Sequence, residues 1–265
     1  MNSASKKAIL VVSFGTSYEN TRKLTIEAIE HDIADAFPAL SHLPCMDKQN
    51  DHCQLKKRDG LTIHTVKEAL EQMLLDGITD VIVQPTHVIN GIENDQMKAD
   101  ALSFRDRFSS IVFGNPLLTT EEDNQAIVRV VADEFRDMDP DTALVLMGHG
   151  TEHYANTVYA ALDYRFKDTG HKNIFLGTVE AYPALDSLLR AADSFHPKKI
   201  VLAPFMIVAG DHAQNDLAGA DPDSWMNRLS SEGYEVTPVL KGLGEYPQVR
   251  QILVEHVQQA MNVSD

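Results

Sequence analysis

The feature that most constrains the fold is that the chain repeats itself. Ala8-Ile-Leu-Val-Val-Ser-Phe-Gly-Thr16, running on to Asn20-Thr21, returns as Ala143-Leu-Val-Leu-Met-Gly-His-Gly-Thr151, running on to Asn156-Thr157. Thr65-Val66, followed by a polar amphipathic stretch, returns at Thr178-Val179. Val81-Ile-Val-Gln-Pro85, with Gly91 six residues on, returns as Ile200-Val-Leu-Ala-Pro204 with Gly210 at the same spacing. A glycine-containing strand end near Gly114 returns near Gly242 and Gly244. One such match of short apolar runs is weak evidence; several in the same order argue for internal duplication.

Each half alternates strand and helix signals. Short apolar runs at 8–12, 81–83, 111–113, 143–147, 174–176, 200–202 and 236–240 lack period-2 polarity, as expected of parallel strands covered on both faces. Between them lie amphipathic stretches at 20–36, 65–76, 121–137, 183–193 and 246–261; in the first, Leu24, Ile26, Ile29, Ile33 and Phe37 recur at roughly helical spacing. The pattern predicts an α/β protein of two similar lobes, each a doubly wound parallel sheet flanked by helices. The turn-rich Met138-Asp139-Pro140-Asp141 places the boundary between lobes 1–139 and 140–265, which are expected to face one cleft. Residues 41–60 sit where the first lobe should have its second strand, yet they are polar and are expected to form a loop. Cys45, His52 and Cys53 in that stretch match no standard zinc spacing, and two cysteines make no disulfide framework.

Charge and hydropathy exclude several classes. With 23 Lys and Arg against 39 Asp and Glu, the net charge is −16, a poor match for nucleic acid or an anionic membrane. No apolar run approaches the roughly 20 residues of a membrane span. Lys6-Lys7 and the short run to Val12 are cut off by Ser13, which does not make a signal peptide, so a cytoplasmic location is expected.

Ligands of open α/β sheets bind beyond the carboxyl ends of the strands. Those ends carry Ser13, Phe14, Gly15 and Thr16; His87 and then Gly91 to Asp95; Gly148-His149-Gly150-Thr151-Glu152-His153; Thr178-Val179-Glu180; and Gly210-Asp211-His212. The repeat aligns His149 with Phe14, Glu180 with Lys67 and His212 with Glu93, so only the second lobe carries His, Glu and His at three strand ends. A single buried histidine is more often hydrogen-bonded than metal-bound. Two imidazoles and a carboxylate at glycine-flanked strand ends together favour a site for Fe²⁺, Co²⁺, Ni²⁺ or Zn²⁺ with coordination positions left open. Glu93, Asp95 and Glu152 are candidate proton acceptors, whereas His87, His153, His171 and His196 are expected to be surface or satisfied core residues. Gly148-His-Gly150 is followed by His153 where a dinucleotide fingerprint needs glycine, and the chain has neither a phosphate-binding Gly-Lys-Ser/Thr loop nor a Gly-x-Ser-x-Gly elbow.

Ala8-Ile-Leu-Val-Val-Ser-Phe-Gly-Thr-Ser17, Val83-Gln-Pro-Thr-His-Val88, Gly148-His-Gly150, Gly177-Thr-Val-Glu180 and Pro204 through Gly210-Asp-His212 together resemble the anaerobic sirohydrochlorin cobaltochelatases of the CbiK type, in the class II chelatase superfamily. The resemblance spans essentially the whole chain. It implies two flavodoxin-like lobes and a metal chelatase, a lyase, that inserts Co²⁺ into sirohydrochlorin on the anaerobic cobalamin route and releases two protons. It further implies that His149, Glu180 and His212 bind the metal, with Glu93 opposite them and His149, His212 and Glu93 taking part in catalysis. Residues 41–60 depart from the family, which has an apolar strand there.

Co²⁺ is then a substrate, with Ni²⁺ or Fe²⁺ as alternatives, and no organic cofactor is expected. The partner is a small-molecule tetrapyrrole, with no nucleic acid or membrane, and assembly into a homo-oligomer is open. Because the macrocycle is a polycarboxylate and this chain is acidic, local donors must hold it. Candidates are Ser13, Phe14, Gly15, Thr16, Ser17 and His87, helix N-termini, and Arg22 or Arg165. A non-catalytic carrier of metal or tetrapyrrole is the alternative reading.

Overall fold

A computed structural model describes residues 5–46 and 64–264. The chain divides into two compact units, Met1–Thr119 with Pro247–Asp265, and Thr120–Tyr246. In the first, β1 (Lys7–Ser13), β2 (Ser41–Met46), β3 (Asp80–Pro85) and β4 (Ser110–Phe113) form one parallel sheet in the order β2-β1-β3-β4. In the second, β5 (Thr142–Gly148), β6 (Ile174–Thr178), β7 (Lys199–Pro204) and β8 (Glu235–Pro238) repeat it as β6-β5-β7-β8. Among the described residues the α-helices are α1 (Glu19–Leu24), α2 (Ile26–Ala36), α3 (Val66–Leu75), α4 (Ile92–Leu102), α5 (Glu121–Glu134), α6 (Thr157–Asp168), α7 (Leu185–Ala192), α8 (Trp225–Ser231) and α9 (Pro247–Ser264).

The unbroken apolar runs became the central strands. Ala8 through Ser13 and every residue of β5 are buried, because each lies between two hydrogen-bonded neighbours and under helices on both faces. Helix α3 buries Val66, Ala69, Leu70 and Met73, a stripe at i, i+3, i+4 and i+7. A capping box fixes its start: the Thr65 hydroxyl accepts from the Glu68 amide at 3.3 Å, and the Glu68 carboxylate accepts from the Thr65 amide at 2.8 Å. Thr120 and Asp123 do the same for α5.

The duplication extends to the backbone bonds. The Thr86 amide donates to the Val12 carbonyl at 2.8 Å, and its counterpart Phe205 donates to Met147 at 2.7 Å. In each sheet the chain passes from the centre to one side and then crosses to the other. Each unit therefore has a switch point at the carboxyl ends of its two middle strands, β1 and β3 or β5 and β7.

Two expectations are corrected or revised. Residues 41–46 are a strand, not a loop: β2 pairs with β1 from Ala8–Ser41 to Ser13–Met46. At the sheet edge only its last two residues are buried, so polar side chains are tolerated, and Pro44 (with no amide to donate) stands opposite Val11. Cys45 is buried in the apolar core of the first unit, and His52 and Cys53 lie outside the described residues. The observed unit boundaries also differ from the expected 139/140. Helix α9, last in sequence, belongs to the first unit, where Arg250 pairs with Asp32 at 2.6 Å and His256 Nδ1 bonds the Asn115 carbonyl at 2.9 Å. Helix α5 belongs to the second, where Glu121 pairs with Arg165 of α6 at 2.7 Å. A repeat read from strand motifs says nothing about which sheet the last helix of each half covers.

Burial, with Glu27 nearby and despite Arg22, raises the pKa of half-buried Glu30 to about 7. In the unfolded chain the same carboxyl titrates near 4.5. The folded state therefore holds the extra proton, and stability falls as pH rises from the lower value through the higher. Glu30→Gln should remove that slope and raise stability at pH 8 by about 1–2 kcal/mol after allowance for solvent screening, with little effect below pH 4.5. Denaturant unfolding at the two pH values measures this.

Candidate metal centre

Three neighbouring strand ends meet in the second unit. β5 ends at Gly148, and the ladder between β5 and β6 continues past both strands. The Val179 amide donates to the Gly148 carbonyl at 3.0 Å and the Glu180 amide to the His149 carbonyl at 2.9 Å. That pairing sets Glu180 beside His149, with Oε2 3.7 Å from Nδ1. His212 arrives from the far side of β5, beyond β7, on a helical turn that starts at Asp211. Its Nε2 lies 3.9 Å from Glu180 Oε1, and its ring centroid is 4.5 Å from that of His149, the planes at 85°. One ligand atom from each of the three residues falls within 4.8 Å of the other two. Small side-chain rotations would bring them to the roughly 2.0–2.2 Å bond lengths of a divalent ion bound by imidazole and carboxylate.

The glycines around His149 are steric requirements. A Cβ on Gly148 would lie 2.6 Å from the Tyr159 ring. Gly150 has φ +87°, and a Cβ there would lie 2.8 Å from Thr178 Cβ and 2.9 Å from the Ala181 amide nitrogen. Gly15, its counterpart in the first unit, has φ +97°. Asn156 ties the His149 loop to the Glu180 loop: its Oδ1 accepts from the Thr151 amide at 3.0 Å and its Nδ2 donates to the Tyr182 carbonyl at 2.6 Å.

Hydrogen bonding fixes the chemistry of the two rings. His149 Nδ1 is 2.8 Å from the Gly150 carbonyl, and His212 Nδ1 is 2.6 Å from Asp216 Oδ2. Carbonyl and carboxylate oxygens only accept, so in the neutral rings each Nδ1 is the protonated nitrogen and each Nε2 carries the lone pair; that of His212 faces Glu180. The histidine side chains are 29% exposed and that of Glu180 51%, so the trio is open to solvent.

The remaining candidates lie in the first unit, except Arg165 and His153, which belong to the second. Ser13 is fully buried, and its hydroxyl accepts from Thr86 at 3.0 Å. Thr16 and His87 are also buried, Phe14 and Ser17 are half-buried, and Glu93 is half-buried in the first turn of α4. Arg22 is buried and pairs through Nε with Glu27 at 2.8 Å, its Nη1 buried without a hydrogen bond among the described residues, and Arg165 pairs with Glu121. His153 is half-buried, and its Nδ1 accepts from the Ala155 amide at 3.2 Å as a local cap.

Glu93 and His212 do hold equivalent places, each two residues past the glycine that follows β3 or β7. The alignment of Lys67 with Glu180 does not hold. Thr65 caps a helix, whereas Thr178 ends a strand, and by register the partner of Thr178 is Met46. The sequence reading missed Asp216; its only signal was a carboxylate one helical turn after His212.

The chain matches the family described as Cobalt chelatase (CbiK) over residues 7–262. It belongs to that family. It is 36% identical over 259 residues to the sirohydrochlorin cobaltochelatase of Salmonella typhimurium strain LT2, covering 98% of each chain. It is 30% identical to the sirohydrochlorin cobaltochelatase CbiKC of Nitratidesulfovibrio vulgaris strain Hildenborough, covering 98% of this chain and 92% of that one. Among solved structures, SirB from Bacillus subtilis with Fe³⁺ superposes with a TM-score of 0.68 at 14% identity, covering 98% and 97% of the two chains, a likeness of fold. Among the described residues of this CbiK-family chain, no helix is long and apolar enough to cross a membrane.

Gly150→Ala should force a left-handed residue into contact with Thr178 and Ala181, costing about 2–4 kcal/mol and displacing His149. Melting temperature and Co²⁺ affinity should fall together; unchanged values in both would show that the turn has room for a side chain.

Proposed function

We propose that this chain is a sirohydrochlorin cobaltochelatase, a lyase that exchanges two pyrrole N–H protons of the macrocycle for one Co²⁺ on the route to cobalamin. The observation that carries the reading is the convergence of His149, Glu180 and His212 within 4.8 Å, in a chain whose family match runs almost end to end.

Insertion needs an ion that is partly dehydrated, held on one face of the ring and then given up. Neutral imidazoles suit transfer because they bind divalent ions less tenaciously than thiolates. In this reading His149 and His212 present Nε2 to the ion and Glu180 offsets its charge. As the ring nitrogens take the metal, their protons pass to the freed imidazoles, which are suited to accept them near neutral pH. Glu93, at the position in the first unit equivalent to His212, is assigned to metal guidance or proton acceptance. The Ser13 to Ser17 turn and His87 are assigned to the macrocycle. Burial of the Ser13 hydroxyl leaves any contact there to the backbone. The net charge of −16 draws cations toward the protein and opposes the polycarboxylate, so metal capture is favoured at long range. Co²⁺ is the assigned ion; Ni²⁺ and Fe²⁺ suit the same donors, and no organic cofactor is invoked.

Anaerobic mixing of protein, sirohydrochlorin and Co²⁺ should give an absorbance change continuing well past one equivalent. A reaction that stops at one equivalent would make the chain a carrier. His149→Ala and His212→Ala should each lower metallation at least ~100-fold while the melting temperature stays within a few degrees, since neither side chain is in the core. Glu93→Gln should lower the rate less, and a wild-type rate in that variant would remove Glu93 from the mechanism.

A further inference from the structure

We infer that Asp216 is a positioning residue: it holds the His212 imidazole with hydrogen on Nδ1 and turns Nε2 toward Glu180 and the incoming cation. The inference rests on reading the trio as a cation site. An imidazole on a half-exposed turn has two tautomers and can flip about its ring axis, and only one combination aims a lone pair at the site. The 2.6 Å bond from His212 Nδ1 to Asp216 Oδ2 selects it.

The backbone is shaped to keep that bond. Past His212 the turn widens into a π-helical segment, Ala213–Leu217, and the Ala218 amide reaches back five residues to the Ala213 carbonyl at 3.3 Å. The turn closes with the Gly219 amide on the Asn215 carbonyl at 3.0 Å, where a Cβ on Gly219 would lie 2.2 Å from that oxygen. A glycine-closed turn thus fixes Asp216 between two buried anchors, Ala213 and Leu217. The two histidines are consequently unequal. His149 leans on a neutral carbonyl, whereas His212 leans on a carboxylate, which orients the ring more firmly and makes Nε2 the stronger donor. His212 is then the ligand that captures the ion, and the loss of its support falls on metal binding before it falls on the macrocycle.

Two variants separate orientation from charge. Asp216→Asn can still accept the Nδ1–H bond through Oδ1; Asp216→Ala cannot. Long-range ¹H–¹⁵N NMR of the metal-free protein reads the His212 tautomer, and Co²⁺ titration followed by its visible absorption reads affinity. Asp216→Ala should lose the Nδ1–H form, weaken Co²⁺ binding ~10–100-fold and raise KM for Co²⁺ with KM for sirohydrochlorin unchanged. Asp216→Asn should keep the tautomer and most of the affinity. The inference is overturned if Asp216→Ala retains both tautomer and affinity, or if Asp216→Asn is as damaging as Asp216→Ala; should Asp216→Ala not fold, the tautomer in Asp216→Asn decides. Wild-type protein that binds no Co²⁺ would instead remove the chelatase reading, leaving the metal-free tautomer to judge Asp216 by itself.

Discussion

A parallel sheet brings all its strand ends to one edge, and in the second unit that geometry does most of the work. With β5 between β6 and β7, residues separated by dozens of positions in sequence leave the sheet side by side. The two ladder bonds that continue beyond β5 and β6 convert this general property into a specific one, because they pair the backbone of Glu180 with that of His149. The side chains need only short reach to share an ion. The glycines at 148 and 150 follow from the same closeness: the chain turns against the Tyr159 ring and the end of β6, where a side chain has no room.

The first unit shows what the scaffold is without that chemistry. It has the same strand order, the same bond from the residue after the third strand to the central strand, and the same left-handed glycine, yet Phe14 stands where His149 does. The fold is thus retained while the candidate metal ligands gather in one copy. Fold and function separate cleanly here, since a sheet edge offers positions and the residues placed there supply reactivity.

How much was legible in the sequence follows from burial. The central strands could be read because burial on both faces leaves an unbroken apolar run, as in Ala8 to Val12 and Ala143 to Met147. The edge strand β2 could not, because only two of its six residues are buried and one residue is proline. His149 and His212 were legible because histidine beside glycine at a strand end is unusual, and Glu180 was found even though its supposed match, Lys67, sits elsewhere. The segment joining β2 to α3 is much longer than that joining β6 to α7, which slides a motif alignment out of register. Asp216 carried no motif of its own; a carboxylate four residues from a histidine acquires meaning only when the turn between them has a known shape.

The placement of α5 and α9 bears on how such a protein could have arisen. Each half of the sequence ends in a helix that belongs to the compact unit built around the other half's sheet. A half-length ancestor with this connectivity would have lacked the helix its unit now takes from the other half, and two copies trading those helices would have supplied it. Gene fusion would then have joined an already intertwined pair, leaving one copy free to diverge toward cation chemistry.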